Sequence, residues 1–94
     1  MSDDLNKKLE SLRQKLDEME TWPTLYMYKF IVPADNQKVA QVEALFDTKE
    51  SQVTTRTSKN GNFVSITAVE MMISPESVID RYKQAEGIEG LMSL

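Results

Sequence analysis

From Leu5 to Met19 the apolar residues Leu5, Leu9, Leu12, Leu16 and Met19 recur at alternating steps of four and three, which places them on one stripe of a helix over 3–19. Ser2 is its expected cap, Asp3 and Asp4 suit its positive end, and Asp3–Lys7 and Asp4–Lys8 are favourable i,i+4 pairs. Two heptads are too short to be stable alone. The five seam residues must therefore dock on their own domain or pair with a second copy of the chain, which makes them candidate oligomerisation residues. Glu20-Thr21-Trp22-Pro23-Thr24 ends the helix, because the residue before proline is pushed out of the α region.

The pattern then changes to period two. From Leu25 to Val32, Tyr26, Tyr28 and Phe30 fall on one face of a strand and Met27, Lys29 and Ile31 on the other. Pro33-Ala34 closes the strand. Asp35 is the expected N-cap of a helix through about Phe46, with Val39, Val42, Leu45 and Phe46 at core spacing. Gln52 to Lys59 is a polar, threonine-rich strand of edge type.

Asn60-Gly61 is a strong hairpin signal. Read as a two-residue turn, it sets Lys59 opposite Asn62, Ser58 opposite Phe63, Thr57 opposite Val64, Arg56 opposite Ser65 and Thr55 opposite Ile66. Val53, Thr55, Thr57, Val64, Ile66 and Ala68 then form the core side, and Thr54, Arg56, Ser58, Phe63, Ser65 and Thr67 the other. Ser74-Pro75-Glu76 starts a second helix with a capping hydroxyl, a proline at the first position and a first-turn acid. Val78, Ile79 and Tyr82 supply its apolar face, and Gly87 suits a left-handed stop. The chain closes on a strand within Ile88–Leu94, with Met92 and Leu94 on one face and Leu91 on the other.

After the first helix the order is strand, helix, strand, strand, helix, strand. That order predicts an α+β, ferredoxin-like βαββαβ domain over 21–94, a four-stranded antiparallel sheet with two helices on one face, preceded by the amphipathic helix of residues 1–20.

Composition narrows the function more than the fold. A chain of 94 residues has room for one domain, burying roughly 60–70% of its unfolded surface. Cysteine and histidine are both absent, which removes disulfides, thiolate sites, the usual general base near neutral pH and the commonest metal ligand. No apolar run approaches the roughly 20 residues of a bilayer span, and the N-terminal residues are acidic rather than basic and then apolar. A cytoplasmic location without membrane contact is expected.

The side of the sheet away from the helices collects the candidate chemistry. Lys29 and Arg56 lie there among Ser58, Ser65, Thr54 and Thr67, bordered by Phe63, Met27, Ile31 and Leu91. Two cations among hydroxyls suit a small anionic ligand, arginine as a fork and lysine as a point charge, so Lys29, Arg56, Ser58, Phe63 and Ser65 are the candidate ligand-binding residues. An ordinary solvated or subunit-covered sheet face is the plainer account of the same residues, and its apolar members suit the N-terminal helix or a second subunit lying over it.

Other chemistries fit less well. Gly61-Asn62-Phe63-Val64-Ser65-Ile66 loosely resembles the central strand of RNA-recognition domains, but a single outward aromatic and a net charge of −4 argue against nucleic acid. Asp47 with Glu50, and Glu86 with Glu89, stand at helix exits as solvated charge rather than as an acid–base pair. A Ser65–Lys29 pair is conceivable only as a common surface combination, and the acids lack calcium-loop spacing. No catalytic residue, metal or cofactor is expected.

From Trp22 to Leu94 the chain resembles the YbeD-like family of small bacterial proteins. The resemblance is carried by Pro23-Thr24 with Tyr26, Tyr28-Lys29, the turn Ser58-Lys59-Asn60-Gly61-Asn62-Phe63 with Ser65 and Ile66, Val78 and Tyr82, and Met92-Ser93-Leu94. It implies a ferredoxin-like fold similar to ACT-type regulatory domains, and it brings no catalytic residues. Phe63 stands where tyrosine is usual, the segment between the first two strands is shorter, and the leucine-seam helix is an addition. Together these readings predict a non-enzymatic regulatory or adaptor module, a homodimer with a protein partner and a small anionic effector, with RNA binding as the alternative.

Overall fold

In a computed structural model, described for residues 3–19, 21–46 and 49–93, the chain forms α1 (Asp3–Met19), β1 (Thr24–Pro33), α2 (Asn36–Glu43), β2 (Gln52–Thr57), β3 (Phe63–Met72), α3 (Pro75–Glu86) and β4 (Met92–Ser93). The expected roles of Ser2, Glu20, Asp47 and Leu94, and of the Asp3, Leu5 and Met19 side chains, lie outside the described residues. The sheet runs β2-β3-β1-β4 with antiparallel neighbours. This is the ferredoxin-like α+β arrangement expected from the alternation.

β1 holds the core because its alternation is strict. Tyr28, Phe30 and Val32 are fully buried, facing Ile66, Ala68, Val42 and Val78 in one cluster. Asp35 caps α2, its Oδ1 accepting from the Gln37 N–H at 2.8 Å. That helix is shorter than its apolar spacing suggests, since the chain tightens after Ala44 into i→i+3 bonds that end at Phe46. Ser74 and Ser77 cap α3 reciprocally, each hydroxyl accepting the other residue's N–H at 3.1 and 3.2 Å.

Helix α1 packs on α3, in the helical layer, and not over the open sheet. Leu9 and Leu16 are buried there, Leu12 is packed against the core, and the Trp22 indole N–H donates to the Leu16 carbonyl at 3.4 Å. Burying two leucines contributes roughly 3–6 kcal/mol before the cost of ordering the helix. The described part of the seam is thus used within the chain.

Three local expectations need correction. The hairpin is not a two-residue turn: only Gly61 has positive φ (+78°), Asn60 does not, and the Ser58–Phe63 bond closes a four-residue loop, with the Gly61 N–H bonded to the Ser58 carbonyl at 2.9 Å. A type I′ turn needs two such residues. Gly87 ends α3 in the right-handed region (φ −70°); the left-handed glycine is Gly90 (φ +83°), where a Cβ would come within 3.0 Å of Pro33. Leu91 turns inward to the core and Met92 outward, opposite Ile31, because β4 contains only Met92 and Ser93 and pairs Ser93 with the buried Phe30.

Candidate functional site

Strand register sorts the open face into rows, since directly opposed residues share a side. From one end of the sheet they run Leu25 and Met71; then Met27, Val69 and Gln52; then Lys29, Thr67 and Thr54; then Met92, Ile31, Ser65 and Arg56; and last Pro33 and Phe63. The edge pairings are those expected from the hairpin, with Arg56 opposite Ser65 and Thr57 opposite Val64. Thr55 and Thr57 face the helical side yet are exposed.

Six large apolar side chains are 43–74% exposed: Leu25, Met27, Phe63, Met71, Ile73 and Met92. Five belong to these rows, and Ile73 follows β3 at the Leu25 end. Isolated exposed apolar residues are ordinary, whereas these five share one face, in two groups on either side of the Lys29 row. The rows contain two cations, Lys29 and Arg56, and no carboxylate. Neither cation has an ion-pair partner among the described residues.

A shallow groove of ≈440 Å³ opens where the hairpin meets β1, lined by Ile31, Arg56, Thr57, Ser58, Lys59, Phe63 and Ser65. It gathers four of the five expected ligand-binding residues and leaves Lys29 outside. Lys29 and Arg56 stand two strands and one row apart, roughly 12 Å between Cα atoms by standard sheet spacing. Ser58 is committed to the turn: its hydroxyl donates to Asn60 Oδ1 and accepts from the Phe63 N–H, both at 3.0 Å. The Ser65 hydroxyl donates to the Arg56 carbonyl at 3.3 Å. An anion in this groove would meet Arg56 and Lys59 rather than the expected Lys29–Arg56 pair.

Another cavity, ≈380 Å³, separates α1 from α3. Three of its charged residues engage one another, Arg13 contacting Glu76 at 2.9 Å and Glu10 at 3.8 Å. On the helical side of the sheet Glu70 and Arg81 form a shielded ion pair that no local pattern announced.

Sequence reasoning missed Leu25, Val69, Met71 and Met92 on the open face. Carrying the alternation from Phe63 past Ala68 to Met72 finds Val69 and Met71. Met92 carried no such signal, because two residues of strand have no period to read.

The model of a family described as a protein of unknown function (DUF493) matches residues 17–92. The chain belongs to the DUF493 family. The matched span holds every strand residue of the sheet except Ser93, and it leaves out most of α1. No curated protein and no solved structure matches the chain. Among the described residues no helix is long and apolar enough to cross a membrane.

Proposed function

We propose that this member of the DUF493 family is a non-enzymatic regulatory or adaptor module that binds a protein partner across its open sheet face. The observation carrying this reading is the gathering of five exposed large apolar side chains on the one face that the helices leave uncovered. The resemblance to the YbeD-like family, which implies a fold similar to ACT-type regulatory domains, supports a regulatory role. The leucine seam, which suits either internal docking or pairing with a second copy, is not the surface invoked, because Leu9 and Leu16 are buried by the chain itself.

A photo-reactive phenylalanine analogue placed at Met27 in living cells tests the reading, with the same residue at Gln41, exposed on α2, as control. A discrete protein adduct from position 27 and none from position 41 is expected. No adduct, or the same adducts from both sites, overturns the reading.

The groove at Arg56 and Lys59 favours a second reading, a small carboxylate or phosphate effector held against Phe63 and Ile31. Such a ligand raises the melting temperature of the parent, and Arg56→Ala abolishes the rise. A broad metabolite screen without any shift overturns it.

A further inference from the structure

We propose that the partner on the open sheet face is an acidic amphipathic α-helix, its apolar stripe lying along β1 and β3 and its carboxylates reaching Lys29 and Arg56; this rests on reading the face as a protein-binding surface. Charge gives the first reason. The chain has 15 acidic and 11 basic residues, yet the described rows of this face carry two cations and no acid. A second copy seated on it would bring two Lys29 and two Arg56 side chains into one interface with no counter-charge from either face, so the complementary occupant is a different, acidic segment.

Backbone chemistry gives the second. The ladder groups of β1 and β3 lie in the plane of the sheet, where the two strands pair along their whole length and β4 covers the outer edge of β1 at Phe30 and Ile31, so a segment lying across the face meets side chains. An extended peptide there would press its own N–H and C=O groups against apolar side chains, whereas a helix satisfies them internally. Methionine gives the third. Met27, Met71 and Met92 all lie on this face, and their unbranched, polarisable side chains adapt to the ridges of a helix.

Spacing agrees with all three. The apolar rows form two groups, Leu25, Met71 and Met27 at one end and Ile31, Met92 and Phe63 at the other, with Lys29 in the row between. Their centres lie about 20 Å apart along the strands, close to four helical turns. The occupant therefore presents apolar residues in its outer turns and carboxylates in its middle turns and along the flank toward β2.

The test titrates the full chain with a labelled synthetic helical peptide of about 18 residues, leucine on one face and glutamate flanking it, read by anisotropy and by amide shifts. Matched peptides with glutamine or lysine in place of glutamate, and a single-stranded oligouridine, are the other probes. The acidic peptide is expected to bind and to shift amides of β1 and β3. Lys29→Glu with Arg56→Glu should weaken it by about tenfold or more, and the lysine peptide should regain binding to that variant. Both sites are exposed, and an unchanged far-ultraviolet spectrum confirms that the variant folds.

Equal binding of the glutamine or lysine peptide to the parent overturns the acidic helix and leaves the protein-binding reading standing. Oligouridine shifting the face while no peptide does overturns both. No shift with any probe overturns the helix, and the Met27 cross-link then decides separately on the broader reading.

Discussion

Arg81 grips Glu70 with two parallel hydrogen bonds, Nη1 donating to Oε1 at 3.1 Å and Nη2 to Oε2 at 2.8 Å. The two side chains are only 16% and 13% exposed, and the guanidinium lies 5.0 Å from the Phe46 ring centroid and 5.7 Å from that of Tyr28. Ser51 adds a third contact, its hydroxyl donating to Glu70 Oε1 at 2.5 Å. The hydrogen bond with Glu70 holds Arg81 above its ordinary pKa. The pair ties α3 to β3 on the side opposite the apolar face.

Glu70→Leu leaves the shielded Arg81 guanidinium without its carboxylate, and should cost about 3 kcal/mol in urea unfolding. Adding Arg81→Met removes the stranded charge and should recover most of that loss. A double variant no more stable than Glu70→Leu alone would show that the cost comes from packing and not from the charge.

Tyr28 is fully buried, and its hydroxyl has no hydrogen-bond partner among the described residues. Burial pushes its pKa well above the ordinary phenol range. Its neighbours fare differently, the Tyr26 and Tyr82 hydroxyls sharing a hydrogen bond at 3.0 Å. Tyr28→Phe should therefore raise stability by about 1 kcal/mol, while Tyr82→Phe should lower it by about the same amount. Equal effects of the two substitutions would contradict this assignment.

The part of the site that was legible in the sequence is the part set by parity. Asn60-Gly61 suggested a two-residue turn and the loop has four residues, yet both lengths place Ser58 opposite Phe63, so the faces of β2 and β3 came out correctly. Ser58 is not free for a ligand as its place on the strand suggests, because its hydroxyl is taken up by loop geometry that a composition does not reveal. Glu70 and Arg81 are joined by packing between a strand and a helix, and their spacing follows no local period. The docking of α1 is not legible for a similar reason, since an amphipathic stripe shows that a helix needs a partner and does not name it.

Gly61 at φ +78° has no atom within 4 Å of where a Cβ would lie. Gly61→Ala therefore meets no clash, and its cost is the left-handed backbone alone, about 1–2 kcal/mol. If the register is set by strand pairing, the variant keeps the amide shifts of the open face at lower stability. Shifts redistributed along β2 would show that the loop itself sets the register.

Glu76 carries the last prediction, a pH dependence of α1 docking. Its Oε1 accepts from Arg13 Nη2 at 2.9 Å across the α1–α3 contact, and this hydrogen bond, with one from its own backbone N–H in the first turn of α3, holds its pKa below the ordinary glutamate range. A carboxylate depressed in the folded state binds its proton more weakly there than in the unfolded chain. Its stabilising contribution is therefore present above the ordinary glutamate pKa and disappears as pH falls through the lowered folded value. The difference in stability between the parent and Glu76→Gln should be largest near neutral pH and shrink toward zero in acid, with Arg13→Gln following the same course. Both side chains are about half exposed, so added salt should also narrow the gap at neutral pH. Amide protection factors, which are rates corrected for the intrinsic pH dependence of exchange, locate the effect: protection lost in α1 alone on acidification fits a helix released from α3, and uniform loss through β1 and β3 would contradict it.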